Sequence, residues 1–206
     1  MRYPPDVTRY DRSTAIVVVD VQNDFADPGG DLSVAGGDAV VPVINREIAT
    51  ATAAGAQVVY TQDWHPPSTP HFAKDGGIWP VHCIAESWGA ELYPSLVLAG
   101  PTIRKGTNGE DGYSGFTMRD PVSGVAITTE LETLLRERGV TRVVVTGLAT
   151  DYCVKATALD AARLGFETTV LADAIAAVDL VPGDGDRALA EMTEAGVSVA
   201  TSRAGG

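Results

Sequence analysis

The stretch at residues 141–164, TRVVVTGLATDYCVKATALDAARL, constrains the fold of this chain most. It begins with three valines at 143–145, a β-branched run too short for a helix and typical of a strand buried on both faces. After Gly147 the spacing becomes helical, with small or apolar side chains at Val154, Ala158, Ala161 and Ala162. The stretch therefore predicts a strand, a tight turn and a helix, with Cys153 in the first turn of the helix.

The predicted position of Cys153 can activate a thiol. Unpaired backbone N–H groups and the positive end of the helix dipole favour thiolate at the start of a helix. The same amides can hold an oxyanion that forms when sulfur attacks a carbonyl. The alternative is a small buried residue that packs the helix against the sheet, and this stretch alone leaves both interpretations open.

The same alternation of strand and helix continues along the chain. Further strands are predicted at 15–21, 57–61, 102–105, 168–172 and 197–201, and further helices at 39–54, 85–93, 128–138 and 184–194. Such alternation implies right-handed crossovers and a mainly parallel sheet between helical layers. We therefore expect an α/β fold, a three-layer α/β/α sandwich with about six strands, as one domain over 1–206 in which 1–13 is a surface lead-in.

Charge and composition exclude some classes of partner. The formal charge of the chain is −12, from 27 acidic and 15 basic residues, and no cluster of basic residues interrupts it. Nucleic acid and anionic membranes are therefore poor candidates as partners. The sequence has two cysteines and shows neither an apolar leader nor an 18-residue apolar run, which leads us to expect a cytoplasmic protein with free thiols.

Four chemically active side chains follow the ends of predicted strands. They are two acids, one amine and one thiol: Asp20, Asp63, Lys105 and Cys153. The carboxyl ends of parallel strands meet at one edge of the sheet, so we expect these groups near one another. A thiolate, a carboxylate base and a cation suit amide hydrolysis through a thioester. Taken singly, Asp20 could cap a turn and Lys105 could be an ordinary surface lysine.

All three histidines lie within 18 residues of one another, in a long loop without periodicity. Asp63 and His65 are two apart and share one side of an extended segment, and His71 and His82 follow. One carboxylate and up to three imidazoles suit zinc, iron(II) or manganese. The alternative is three unrelated histidines, and His71, which stands between prolines, could instead face solvent.

Aromatic residues accompany these groups. Phe25 follows Asp20, Trp79 precedes His82, and Tyr113 lies in the glycine-rich loop after Lys105. Any one of the three could be plain core. Together they could form the walls of a flat apolar pocket for a small aromatic ligand.

Five segments carry a family resemblance: VVVDVQNDF, QDWHP, WPVHC, KGTNGEDGYSGF and TGLATDYCV. Together they resemble the nicotinamidase/pyrazinamidase branch of the isochorismatase-like cysteine hydrolases, over residues 15–201. The resemblance implies a catalytic triad of Asp20, Lys105 and Cys153. It also implies one divalent metal ion held by Asp63, His65, His82 and, in some members, His71.

The resemblance assigns further roles around the thiol. It implies an oxyanion hole formed by the amides of Ala149 and Cys153, with a cis peptide between Leu148 and Ala149. It places Leu148, together with the ring-stacking residues Phe25, Trp79 and Tyr113, in the substrate-binding site. The loop between Lys105 and Tyr113 departs from the family pattern in being slightly long.

The activity implied by the resemblance is hydrolysis of nicotinamide to nicotinate and ammonia, as in NAD salvage, with pyrazinamide as a second substrate. The pyridine nitrogen would bind the metal, directly or through water. Two alternatives stay open: a hydrolase of the same fold acting on a carbamoyl, ureido or isochorismate-like compound, and a non-catalytic metal-binding module. The identity of the metal and the formation of a homo-oligomer also stay open.

Overall fold

The computed structural model describes residues 10–202. Most of the predicted lead-in at 1–13 lies outside these residues. Among the described helices, none has the length and apolar character that crossing a bilayer requires.

In chain order the strands of the described residues are β1 (Thr14–Val19), β2 (Gln57–Asp63), β3 (Thr102–Lys105), β4 (Thr117–Arg119), β5 (Ala126–Thr128), β6 (Arg142–Leu148), β7 (Glu167–Ala176) and β8 (Ser198–Ala200). Six of them form a parallel sheet at the centre of the molecule, in the order β3-β2-β1-β6-β7-β8. The other two, β4 and β5, form a separate antiparallel hairpin. The central strand β1 is buried along its whole length, as its apolar sequence predicts.

Helices cover both faces of this sheet, which confirms the predicted three-layer α/β/α fold. They are α1 (Asn23–Ala26), α2 (Val41–Ala53), α3 (Leu131–Glu137), α4 (Lys155–Arg163) and α5 (Asp184–Glu194). Helix α2 packs on one face through Ile44 and Ile48, which are spaced by one helical turn. Helices α3, α4 and α5 pack on the other face through Leu131, Ala158 and Met192.

The helix predicted at residues 85–93 is wrong, because the segment folds as turns. Hydrogen bonds from distant residues determine its conformation. Asp24 accepts a bond from the backbone N–H of Cys83 and donates its own backbone N–H to Gly89, while the Gln22 side chain donates to the carbonyl of Ala90. The carbonyl of Gly89, which Asp24 uses here, is one that a helix over 85–93 would pair internally.

The segment before α3 also differs from the prediction. Residue Thr128 belongs to β5, so the helix predicted from 128 begins at Leu131. The hydroxyl of Thr129 accepts a bond from the N–H of Leu131, the first residue of this helix. The hairpin β4–β5 was not predicted at all, because strands of three residues carry too little pattern to detect.

The strand, turn and helix around Cys153 are confirmed, with one difference. A π-helical turn, Thr150–Val154, contains Cys153 and precedes α4. Gly147 allows the strand to bend here, because its φ is +108° and a Cβ would lie 2.1 Å from the carbonyl oxygen of Val19. The peptide bond between Leu148 and Ala149 is cis, as the family resemblance implies.

Candidate active site

The four reactive side chains predicted at the strand ends lie together at one edge of the sheet. The Lys105 ammonium nitrogen lies 2.9 Å from Oδ2 of Asp20 and 3.7 Å from Sγ of Cys153, and it also contacts Oδ1 of Asp63. All four residues are buried. The register of the sheet contributes to this proximity, because Asp63 of β2 and Lys105 of β3 are directly paired.

The two carboxylates keep the buried amine charged. Burial opposes a charge on Lys105, but Asp20 and Asp63 outweigh it and raise the pKa of Lys105 well above its usual range. Burial likewise opposes ionisation of Asp63, yet Lys105 and the nearby histidines hold the pKa of Asp63 well below its usual value. The site therefore contains an ammonium and at least one carboxylate out of contact with water.

Asp20 and Cys153 behave differently from this ion pair. Burial raises the pKa of Asp20, with Lys105 opposing the rise and Asp63 adding to it. Burial also raises the pKa of the Cys153 thiol well above its usual range, and the partial compensation by Lys105 is insufficient. The thiol is therefore protonated at neutral pH. Cys153 lies in the π-helical turn before α4, and the expectation that a helix start favours its thiolate stays a prediction.

Two polar residues that the sequence did not single out fix these acids. Asp20 adopts a positive φ of 48°, and the Thr61 hydroxyl donates to its Oδ1 over 2.6 Å. The Gln22 side chain bonds the backbone of Asp63 twice, donating to its carbonyl oxygen at 2.7 Å and accepting from its N–H at 2.8 Å. Both side chains are buried in the folded chain, where polar groups require partners, and this burial is not visible in the sequence.

The three histidines form one buried cluster beside these groups. One ring nitrogen each from His65, His71 and His82 lies within 4.8 Å of the others. Both ring nitrogens of His65 are buried without a hydrogen-bond partner among the described residues. An unpaired buried polar atom is costly unless it has a ligand, so the cluster fits a metal ion. Oδ2 of Asp63 lies 3.8 Å from Nε2 of His65, where it can join the imidazoles.

The other two imidazoles are oriented by acceptors on Nδ1. Oδ1 of Asp111 lies 2.8 Å from Nδ1 of His71, and the carbonyl oxygen of Pro80 lies 2.8 Å from Nδ1 of His82. In each ring Nε2 is thereby left as the ligand atom. Burial lowers the pKa of His82 to about 4, so its ring is neutral at neutral pH, as a metal ligand must be. His71 is buried and does not face solvent, which settles the alternative left open for it.

An aromatic cavity joins the thiol to the histidine cluster. The predicted aromatic residues Phe25, Trp79 and Tyr113 all line it, together with Ala149 and Cys153. Trp79 donates its indole N–H to the Tyr113 hydroxyl over 3.0 Å, which holds the two rings in one wall. Leu148, which the family resemblance places in the substrate-binding site, does not line this cavity. It is fully buried in the core on the α2 side of the sheet.

Three further side chains line the cavity without having been predicted: Leu32, Tyr152 and Val178. The Tyr152 ring lies 4.8 Å from that of Trp79 and 5.2 Å from that of Tyr113, so it extends the aromatic wall. Its position next to Cys153 was a usable signal. Leu32 and Val178 come from loops whose approach to the cavity depends on the whole fold.

Comparison with known proteins gives consistent results. The isochorismatase domain family matches residues 14–204. The nicotinamidase of Escherichia coli is 38% identical, and the match covers 91% of this chain and 94% of the E. coli protein.

Two solved structures have the same fold as this chain. Pyrazinamidase of Pyrococcus horikoshii in complex with zinc is 41% identical, with a TM-score of 0.81, and the match covers 92% of this chain and 99% of that one. PnC1 from L. infantum in complex with nicotinate is 36% identical, with a TM-score of 0.84, over 94% of this chain and 96% of that one.

Proposed function

Because the chain belongs to the isochorismatase family, we propose that it is a metal-dependent cysteine amidohydrolase that converts nicotinamide to nicotinate and ammonia. One observation carries the proposal. The Cys153 sulfur, 3.7 Å from the Lys105 ammonium, opens into an aromatic cavity that also contains His71 and His82 of the imidazole cluster. A nucleophile, a buried base and a flat apolar pocket are what an aromatic amide requires.

Asp20 acts as the proton carrier in this mechanism. Its raised pKa suits a group that must accept a proton and return it. Asp20 takes the thiol proton as Sγ of Cys153 forms a bond to the amide carbon, and it then passes this proton to the leaving ammonia. Water subsequently attacks the thioester, which releases nicotinate and restores the thiol. Lys105 stabilises the negative charge on Asp20 and on the reacting sulfur during these steps.

The backbone beside the nucleophile completes this chemistry. Ala149 and Cys153 both line the cavity, and we assign their N–H groups to the oxyanion of the tetrahedral intermediate. Phe25, Trp79 and Tyr113 stack against the pyridine ring and exclude water from it. These contacts hold the carboxamide carbon near Sγ.

We assign the metal ligands to Asp63, His65, His71 and His82. The bound ion supplies a positive charge that orients the pyridine nitrogen of the substrate. The zinc-bound P. horikoshii pyrazinamidase supports zinc as the first ion to test.

Ammonia release from nicotinamide, with zinc and then with a chelator, tests this function. We expect activity that depends on zinc and falls at least about 10³-fold in Cys153→Ala, because removing the nucleophile removes the covalent pathway. Benzamide, which lacks the ring nitrogen, is the matched substrate control and should react far more slowly. Activity confined to a ureido acid, or retained in Cys153→Ala, would contradict the proposal.

A further inference from the structure

We propose that Asp111 is a positioning residue that fixes the orientation and tautomer of His71, and thereby determines the affinity of the metal site. The inference rests on the metal site proposed above. It concerns a residue of the glycine-rich loop between β3 and β4 that lies outside the proposed ligand set and does not line the cavity.

The contact between the two side chains is direct. Oδ1 of Asp111 lies 2.8 Å from Nδ1 of His71, and the His71 side chain is only 6% exposed. An ionised carboxylate can only accept hydrogen bonds, so the proton of the neutral imidazole must lie on Nδ1. The lone pair is then on Nε2, the nitrogen left to face His65 and His82.

The backbone holds Asp111 in place for this task. Its N–H donates to the carbonyl oxygen of Arg119 at 2.9 Å, and the N–H of Arg119 donates back at 2.6 Å. The N–H of Gly112 adds a bond of 2.8 Å to Oδ1. This antiparallel bridge between Asp111 and Arg119 of β4 therefore holds the carboxylate beside His71.

The Nδ1 partners of His71 and His82 come from different distances along the chain. His82 has its Nδ1 fixed by Pro80, a neighbour two residues away in the same loop. The acceptor for His71 comes from 40 residues further along the chain. Without the Asp111 carboxylate, the His71 ring could rotate and present either nitrogen to the metal. Ordering the ring would then reduce the free energy of metal binding.

Zinc affinity of the full-length protein, measured by competition with a chromophoric chelator, tests the inference without relying on activity. We expect Asp111→Ala to weaken zinc binding about 10- to 100-fold, as loss of an outer-shell partner of a ligating histidine does. Asp111→Asn should weaken it less, because the amide oxygen still accepts from His71 and from Gly112. Glu132→Ala, which removes an exposed carboxylate paired with Arg136, is the matched control and should bind like wild type.

A double-variant cycle with His71→Ala separates a positioning role from a merely structural one. Asp111→Ala should have no further effect on affinity once His71 is replaced. An equal loss in both backgrounds would overturn the inference, and so would wild-type affinity in Asp111→Ala. Should Asp111→Ala fail to fold, Asp111→Asn takes its place in the cycle. Absence of zinc binding by the wild type would instead contradict the proposed metal site itself, so the two failures are distinguishable.

Discussion

Replacing Lys105 by methionine removes the ammonium that compensates the buried carboxylates of Asp20 and Asp63, while keeping a side chain of similar length. The side chains of Lys105 and Asp20 are 2% and 0% exposed, and the Asp63 side chain is 7% exposed. Removing one partner of a buried ion pair costs about 3–5 kcal/mol, because the remaining charge is left without compensation. The control is Lys155→Met, which breaks a surface pair with Glu191 whose side chains are 28% and 57% exposed. Such a pair contributes about 0–1 kcal/mol.

Urea unfolding in the presence of a chelator measures this difference. With an m-value of about 2 kcal/mol per molar urea, Lys105→Met should lower the midpoint by about 1.5–2.5 M and Lys155→Met by less than about 0.5 M. Ammonia release by zinc-loaded Lys105→Met should also fall by about 10²-fold or more, because the cation near the reacting sulfur is gone.

A second substitution tests whether charge is the cause. Adding Asp20→Asn to Lys105→Met removes one of the two buried carboxylates that lost their cation. The double variant should therefore recover part of the lost stability. Equal midpoints for Lys105→Met and Lys155→Met would refute the reasoning. So would a double variant that is less stable than Lys105→Met by the full cost of Asp20→Asn alone, because the two groups would then act independently.

Three further outcomes are expected. Gly106→Ala places a Cβ 2.6 Å from Nδ1 of His65 at a φ of +79°, whereas Gly124→Ala, at a φ of +70°, places its Cβ in open space. Both variants share a backbone cost of about 1–2 kcal/mol, and thermal melts should show a larger loss of stability for Gly106→Ala. Zinc at 100 times its Kd should add about 2.7 kcal/mol of stability, and a shift of the melting temperature that persists in His65→Ala would contradict the ligand assignment. Because burial raises the Cys153 pKa, iodoacetamide should alkylate Cys153 more slowly than it alkylates a free thiol at pH 7, and the rate should increase with pH. Lys105→Met should slow the alkylation further. Alkylation of Cys153 at pH 7 that is faster than that of a free thiol would show instead that the thiolate is stabilised.

The sheet could be predicted because its information is local. The valines of β1 and β6 specify strands buried on both faces, and the structure pairs Val17 with Val145 in register. Helices α2 and α5 were found within two residues of their ends from apolar spacing and closing glycines. The segment at 85–93 shows the limit of local information, because side chains near residues 22–24 determine its conformation.

The candidate site, like the fold, could be predicted from the sequence only in part. The residue types at the strand ends and the histidines of one loop predicted which groups meet. Their ionisation could not be predicted, because it depends on how deeply they are buried and on one another. Cys153 is the clearest case, since burial and the neighbouring Asp20 and Asp63 raise the pKa of its thiol while Lys105 lowers it.

The sequence by itself determined the strands of the main sheet, the chemical groups at its edge and the family to which the chain belongs. Only the tertiary structure decided that one amine stands between Asp20 and Asp63, that Asp111 faces His71, and that the sulfur lies too deep to ionise readily. The physical reason is one of range. Periodicity and turn residues act between neighbours along the chain, whereas solvation and Coulomb interactions depend on distances that exist only after the chain has folded.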